Sequence, residues 1–111
     1  MNVKQKDIVL IPYPFSDLEG AKIRPALVVS NDALNKKSDD CILVPLTTII
    51  KDKPYSILIS QGDLSSGKLI RDSRIRFDKI FNVEKELIKK IIGKLDDAAF
   101  ERVKKELVKV F

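Results

Sequence analysis

Over the first three quarters of the chain, apolar residues fall in short runs or strict alternation. Near the end they take up a helical spacing. Asp7-Ile-Val-Leu-Ile11 is a continuous apolar run closed by Pro12 and Pro14, the pattern of a buried strand leading into a rigid loop. Tyr13–Lys22 contains Pro14, Ser16, Asp17 and Gly20, residue types that turn the chain. Arg24–Ser30 predicts a second strand, and Asn31–Asp40 a polar turn. Cys41–Thr47 predicts a third strand, Thr48–Pro54 a loop, and Tyr55–Ile59 a fourth, alternating strand. Leu69–Ile70 and Ser73–Phe77 predict two more short strands. In the latter, Ile75 and Phe77 share one face, Arg74 and Arg76 the other.

After the cap candidates Asp96 and Asp97, apolar residues recur at Phe100, Val103, Leu107 and Val110, which predicts a helix over Asp97–Val110. Glu101 and Lys105 are spaced for an i,i+4 pair on its surface. Glu84–Gly93 supports two readings: its propensity is helical, yet Ile88, Ile91 and Ile92 suit a strand. There is no repeat, low-complexity segment or linker, so residues 1–111 are expected to form one domain. Many short strands followed by one helix predict a mainly β chain, a small and strongly bent antiparallel barrel with a C-terminal helix. Such a fold serves many functions and decides none.

Composition narrows the chemistry. Of the 111 residues, 44% are hydrophobic and 33% charged, as in soluble globular proteins. No apolar run approaches the roughly 20 residues that span a bilayer. Met1–Asp7 lacks the apolar centre of a secretion signal, so a cytoplasmic protein with no membrane partner is expected. The single cysteine, Cys41, sits in an apolar run and is read as a buried, inert thiol. The formal charge of +5 favours an anionic partner, although the lysines near the C-terminus also fit a solvated helix face. Histidine is absent. That excludes an imidazole acid/base pair and leaves zinc chemistry almost no ligands. Any catalysis falls to Arg, Lys, Asp, Glu, Ser, Thr or Tyr.

Three stretches are more specific: Lys6–Asp17 with Lys22-Ile-Arg-Pro-Ala-Leu-Val-Val-Ser30; Val44-Pro-Leu-Thr-Thr48; and Ser73–Ile80 with Leu87–Leu95 behind it. In that order and spacing they resemble the MazF/PemK family of toxin–antitoxin ribonucleases, over nearly the whole chain. One departure is visible: the family usually has Gly before the Asp-Ile-Val run, where this chain has Lys6. The resemblance implies an SH3-like/CcdB-like barrel and the toxin component of a type II toxin–antitoxin system. It implies a sequence-specific endoribonuclease that cuts single-stranded RNA through the 2′-hydroxyl, leaving a 2′,3′-cyclic phosphate, with no metal and no cofactor. It further implies a homodimer and a cognate antitoxin whose acidic or apolar C-terminal segment covers the RNA groove. DNA would be bound only by the toxin–antitoxin complex.

Metal-free RNA cleavage needs a group to stabilise the phosphorane-like centre, one to take the 2′-proton and one to protonate the 5′-oxygen. A guanidinium fork suits the first task, and a hydroxyl can donate to the same centre. Arg24 begins an apolar strand and, read alone, is a surface arginine at a strand end; the resemblance assigns it the catalytic arginine of the Arg-Pro motif. Thr47 read alone is a strand-end hydroxyl bonded to backbone; the resemblance assigns it the catalytic hydroxyl, ahead of Thr48 on the opposite face. Arg76 and Asp78 read alone are an exposed ion pair on an extended strand; in PemK-like members the equivalent pair acts on the phosphate and in proton transfer. The general base stays open among Asp78, Asp17 and Glu19, since deprotonating Arg24 is costly. For RNA binding the expected groups are Tyr13, Phe15 and Tyr55 as stacking platforms, Lys22, Lys51 and Lys53 for phosphates, and Thr48 at the rim. Two rivals share the fold class: a gyrase-poisoning toxin acting by protein contact, and a non-catalytic nucleic-acid-binding barrel.

Overall fold

The chain forms its elements in the order β1 (Asp7–Tyr13), β2 (Lys22–Val28), α1 (Asp32–Lys37), β3 (Asp40–Thr47), β4 (Ser56–Ile59), β5 (Leu64–Gly67), β6 (Ser73–Arg76), β7 (Phe81–Glu84), β8 (Lys90–Leu95) and α2 (Asp97–Val108). The computed structural model describes residues 2–13 and 22–111, with the backbone alone at Tyr13. All the described strand pairs are antiparallel, in the order β4-β6-β3-β2-β1-β8-β5. On the side away from β2, β3 pairs with β7 through Asp40–Leu43 and then with β6 through Leu46 and Thr47. The sheet therefore curls into a half-barrel with a C-terminal helix, as the strand pattern predicts.

Both faces of the central strands are buried, which is why Ile8–Ile11 and Ala26–Val28 read as continuous apolar runs rather than alternating ones. One face packs Ile8, Leu27, Val44, Leu46, Ile75 and Phe77 against Ala99, Phe100 and Val103 of α2. The other gathers Val9, Ile11, Ala26, Val28, Cys41, Leu43 and Val83. Each large side chain moved from water contributes about 1.5–3 kcal/mol. Burial pushes the Cys41 thiol up to about 11, in keeping with an inert sulfur. No helix among the described residues is long and apolar enough to cross a membrane.

Several elements differ from the expectation. The first strand does not stop at Ile11: it runs through Pro12, because β8 pairing ends at Leu10 and the missing N–H then faces no partner strand. The supposed turn Asn31–Asp40 contains α1, capped by Asn31, whose side chain accepts from Leu34 N–H at 2.8 Å. Leu69–Ile70 is not a strand; the pairing segment is the polar Leu64–Gly67, which docks by its backbone on β8. Glu84–Gly93 resolves as the end of β7, a 3₁₀ turn and the start of β8, not a helix. On α2 the ion pair of Glu101 is with Lys104, at 2.8 Å, rather than Lys105.

Among the described residues three have a positive φ, Lys6, Tyr55 and Gly67. Lys6, where a glycine is usual, has φ +81°. Its N–H donates to Val28 O at 3.0 Å, its carbonyl accepts from Leu95 N–H at 2.9 Å, and its ammonium pairs with Asp97 at 2.6 Å. These contacts tie the entry of β1 to β2, β8 and α2 at once. Gly67, at φ +80°, lies so close to Ile92 O and Gly93 that a Cβ there would collide with backbone, so β5 can pair with β8 only through glycine.

Candidate active site

The β2–β3 ladder pairs Val28 with Leu43, Leu27 with Val44, and Ala26 with Pro45, and stops there. Both strands carry a proline at this end, Pro25 and Pro45, and neither has an N–H to continue a ladder. Arg24 lies two residues beyond Ala26 and Thr47 two residues beyond Pro45, so strand parity gives each the face of the Ala26–Pro45 pair. Arg24 is exposed and Thr47 half-buried. Among the described residues no carboxylate pairs with Arg24. The Arg-Pro and Pro-Leu-Thr motifs thus place a guanidinium and a hydroxyl where β2 and β3 stop pairing with each other, while Arg24 stays paired with Ile11 of β1 and Thr47 with Arg74 of β6.

Thr47 is held in place. Its Oγ accepts from Ile49 N–H at 3.1 Å, which fixes the hydroxyl and leaves its proton for donation. Across β3 and β6, Thr47 pairs with Arg74. The Arg74 side chain is nearly buried, only 11% exposed, and reaches over the loop 48–55. Its Nε donates to Ile50 O at 3.3 Å and its Nη1 to Ser56 Oγ at 3.1 Å, with Asp52 at 3.4 Å. Ser56 Oγ in turn donates to Lys53 O at 2.6 Å. Arg74 was not among the expected functional residues. The alternation Arg74-Ile-Arg76 placed it on the right face, but nothing in sequence distinguished a strut from a solvated arginine.

Arg76 and Asp78 form a two-toothed pair, Nε to Oδ1 at 3.1 Å and Nη2 to Oδ2 at 2.6 Å. Asp78 does not lie on an extended strand, as the i,i+2 argument assumed; residues Phe77–Lys79 make a 3₁₀ turn that folds the carboxylate back onto Arg76. The hydrogen bond from Arg76 holds the Asp78 carboxyl below the usual carboxylate range.

A family model described as PemK-like, MazF-like toxin of type II toxin–antitoxin system matches residues 4–111. The chain belongs to this toxin family. Its fold is similar to that of an endoribonuclease in complex with its cognate antitoxin from a Mycobacterial species, at 20% identity over 96% of this chain and 92% of that one, TM-score 0.78. It is similar also to Mycobacterium tuberculosis toxin MazF-mt6, at 15% identity over 95% of each chain, TM-score 0.76. The MazE–MazF crystal structure (Form-III) from Deinococcus radiodurans contains a further likeness, at 18% identity over 99% of this chain and 96% of that one, TM-score 0.78. At such identities the likeness is one of fold. No curated protein sequence matches the chain.

In this PemK/MazF-like chain the surroundings of Arg24 and Thr47 divide by face. Lys22, Lys51 and Lys53 are exposed, and none has an ion-pair partner among the described residues. Tyr55 closes the loop 48–55 at φ +57°, its side chain exposed and its carbonyl accepting from Phe77 N–H at 2.8 Å. A tyrosine in that backbone region is strained, and such strain gathers at functional sites. Thr48 goes elsewhere: with Ile23, Pro25, Ile70 and Ser73 it lines an apolar cavity of about 390 Å³ on the reverse face. Phe15, Asp17 and Glu19, and the side chain of Tyr13, lie outside the described residues. A cavity of about 610 Å³ at the opposite end of β3 is lined by Asp39, Asp40, Glu84 and Glu86, with Lys85 as the one cation among them. Its excess of carboxylates repels phosphate, so volume does not identify the RNA site. Among the described residues no His, Cys, Asp or Glu cluster could hold a metal ion.

Proposed function

We propose that this toxin is an endoribonuclease that cuts single-stranded RNA at a site centred on Arg24 and Thr47. What supports the reading is the β2–β3 register, which ends at Ala26 and Pro45, two residues short of Arg24 on one strand and of Thr47 on the other. In this mechanism the RNA 2′-oxygen attacks the adjacent phosphorus, and the bond from phosphorus to the 5′-oxygen breaks. The products are a 2′,3′-cyclic phosphate and a 5′-hydroxyl. Because nucleophile and phosphorus belong to one molecule, correct alignment alone can supply about 7–11 kcal/mol of the acceleration. Arg24 binds the non-bridging oxygens with its fork, and Thr47 donates its proton to the same centre. Asp78, ionised at neutral pH, takes the 2′-proton, which frees Arg76 to add a second positive charge at the phosphorus, and the departing 5′-oxygen takes its proton from water.

Lys22, Lys51 and Lys53 hold flanking phosphates, and Tyr13, Phe15 and Tyr55 offer rings to unpaired bases. Thr48, on the reverse face, bears on the RNA only through the loop it begins. The chain acts as a homodimer in the cytoplasm, and its partner is a cognate antitoxin, whose acidic or apolar segment the exposed cations would receive. The toxin–antitoxin membership and the +5 charge support that part of the reading. Incubation with a long RNA in EDTA, followed by mapping of the new ends, tests it. Cleavage at a short recurring sequence with cyclic-phosphate ends is expected. Intact RNA, or binding without new ends, overturns it.

A further inference from the structure

We infer that Arg74 is a positioning residue for the reaction, setting the Thr47 hydroxyl and the loop 48–55 without touching the RNA; this rests on the ribonuclease reading above. The hydrogen bonds form a continuous path. Arg74 Nε holds Ile50 O, and the neighbouring Ile49 N–H holds Thr47 Oγ. Arg74 Nη1 holds Ser56 Oγ, and Ser56 Oγ holds Lys53 O. One guanidinium therefore fastens the loop near both ends, from a strand position directly opposite Thr47. It is covered by what it holds, with 11% of its side chain exposed, whereas its i+2 neighbour Arg76 keeps 24%. A planar fork suits this task better than an ammonium, because it reaches several acceptors in fixed directions.

The loop so held carries Lys51 and Lys53, and its first turn sets the Thr47 rotamer. Losing the strut lets the Ile49–Ile50 segment relax, and an ångström of drift at a catalytic hydroxyl costs up to about 100-fold. The loss passes through Thr47, which makes it separable from two other roles. An arginine that binds phosphate itself, or merely supports the fold, weakens cleavage whether or not residue 47 has a hydroxyl.

The test is single-turnover RNA cleavage at saturating enzyme, where weaker phosphate binding through Lys51 and Lys53 no longer limits the rate, by Arg74→Ala, Arg74→Lys and Ser56→Ala, each in the wild-type and the Thr47→Ala background, with folding followed by thermal melts. Arg74→Ala is expected to slow cleavage about 10-fold in the wild type and less than about 2-fold in Thr47→Ala, with Arg74→Lys regaining part of the loss. Should Arg74→Ala fail to fold, Ser56→Ala keeps the arginine and cuts one link; a loss of about 3-fold, seen only when Thr47 is present, supports the inference. Equal losses in both backgrounds overturn it while leaving the ribonuclease reading intact. An inactive wild type removes both.

Discussion

Within β2 and β3, Ala26–Val28 and Leu43–Pro45 are paired and buried throughout, while two residues further on Arg24 is exposed and Thr47 half-buried. The two regions share strands and register, and they differ in what the side chains face. The paired region is closed on both sides by apolar clusters, so its residues answer to packing. At the far end the prolines lack the N–H that would extend the ladder, and among the described residues Arg24 is exposed and Thr47 half-buried, so polar groups there can meet a ligand. On the ribonuclease proposal, stability and chemistry are separated along the length of one strand pair.

Substitutions can break or sharpen that division. Leu27→Ala, inside the paired region, should cost about 4 kcal/mol of stability in urea unfolding, with activity falling only as the folded fraction falls. Arg24→Ala should slow RNA cleavage by about 1,000-fold, roughly 4 kcal/mol of barrier, with an unchanged melting temperature. A melting temperature that falls as far as for Leu27→Ala would erase the distinction. Thr47→Ala should cost about 100-fold in kcat, again without loss of fold.

Smaller effects come from ionisation. Arg76 lowers the folded-state pKa of Asp78 from 3.8, so the pair contributes stability that is complete above that value and is lost as pH falls through the lowered one. Because Asp78 is 40% exposed, solvent screens most of that contribution. Asp78→Asn should therefore alter the acid limb of unfolding below about pH 4 and leave the melting temperature at pH 7 nearly unchanged. A rate profile governed by Asp78 should likewise be flat from about pH 5 to pH 8. The smallest change expected is for Lys6→Gly, which relieves a positive φ but loses the Asp97 ion pair; a rise of only a few degrees in melting temperature would show that backbone strain outweighs the pair.

Patterning made much of this legible. The apolar runs gave β1 to β3, the period of Phe100, Val103 and Leu107 gave α2, and the order of the motifs pointed to the family. What escaped was structure held by backbone rather than by side-chain pattern. β5 is Leu-Ser-Ser-Gly, whose pairing depends on two glycines meeting, and such a strand has no hydrophobic signature. α1 is six residues long, too short for a periodic stripe, and its N-cap, Asn31, is a residue type equally at home in a turn. The 3₁₀ turn at Phe77–Lys79 reversed the geometry assumed for Asp78, and the pair survived because a turn also brings i and i+2 together. At the site, the face shared by Arg74 and Arg76, opposite the core residue Ile75, followed from parity alone. The role of Arg74 did not, because it depends on which loop carbonyls lie within its reach.

The most direct test of a shared site is a crystal structure with an oligonucleotide whose 2′-hydroxyl at the scissile position is removed. One phosphate is expected within hydrogen-bond distance, about 3 Å, of both the Arg24 guanidinium and the Thr47 hydroxyl. A chain that binds the oligonucleotide elsewhere, with no phosphate between those two residues, would contradict the account.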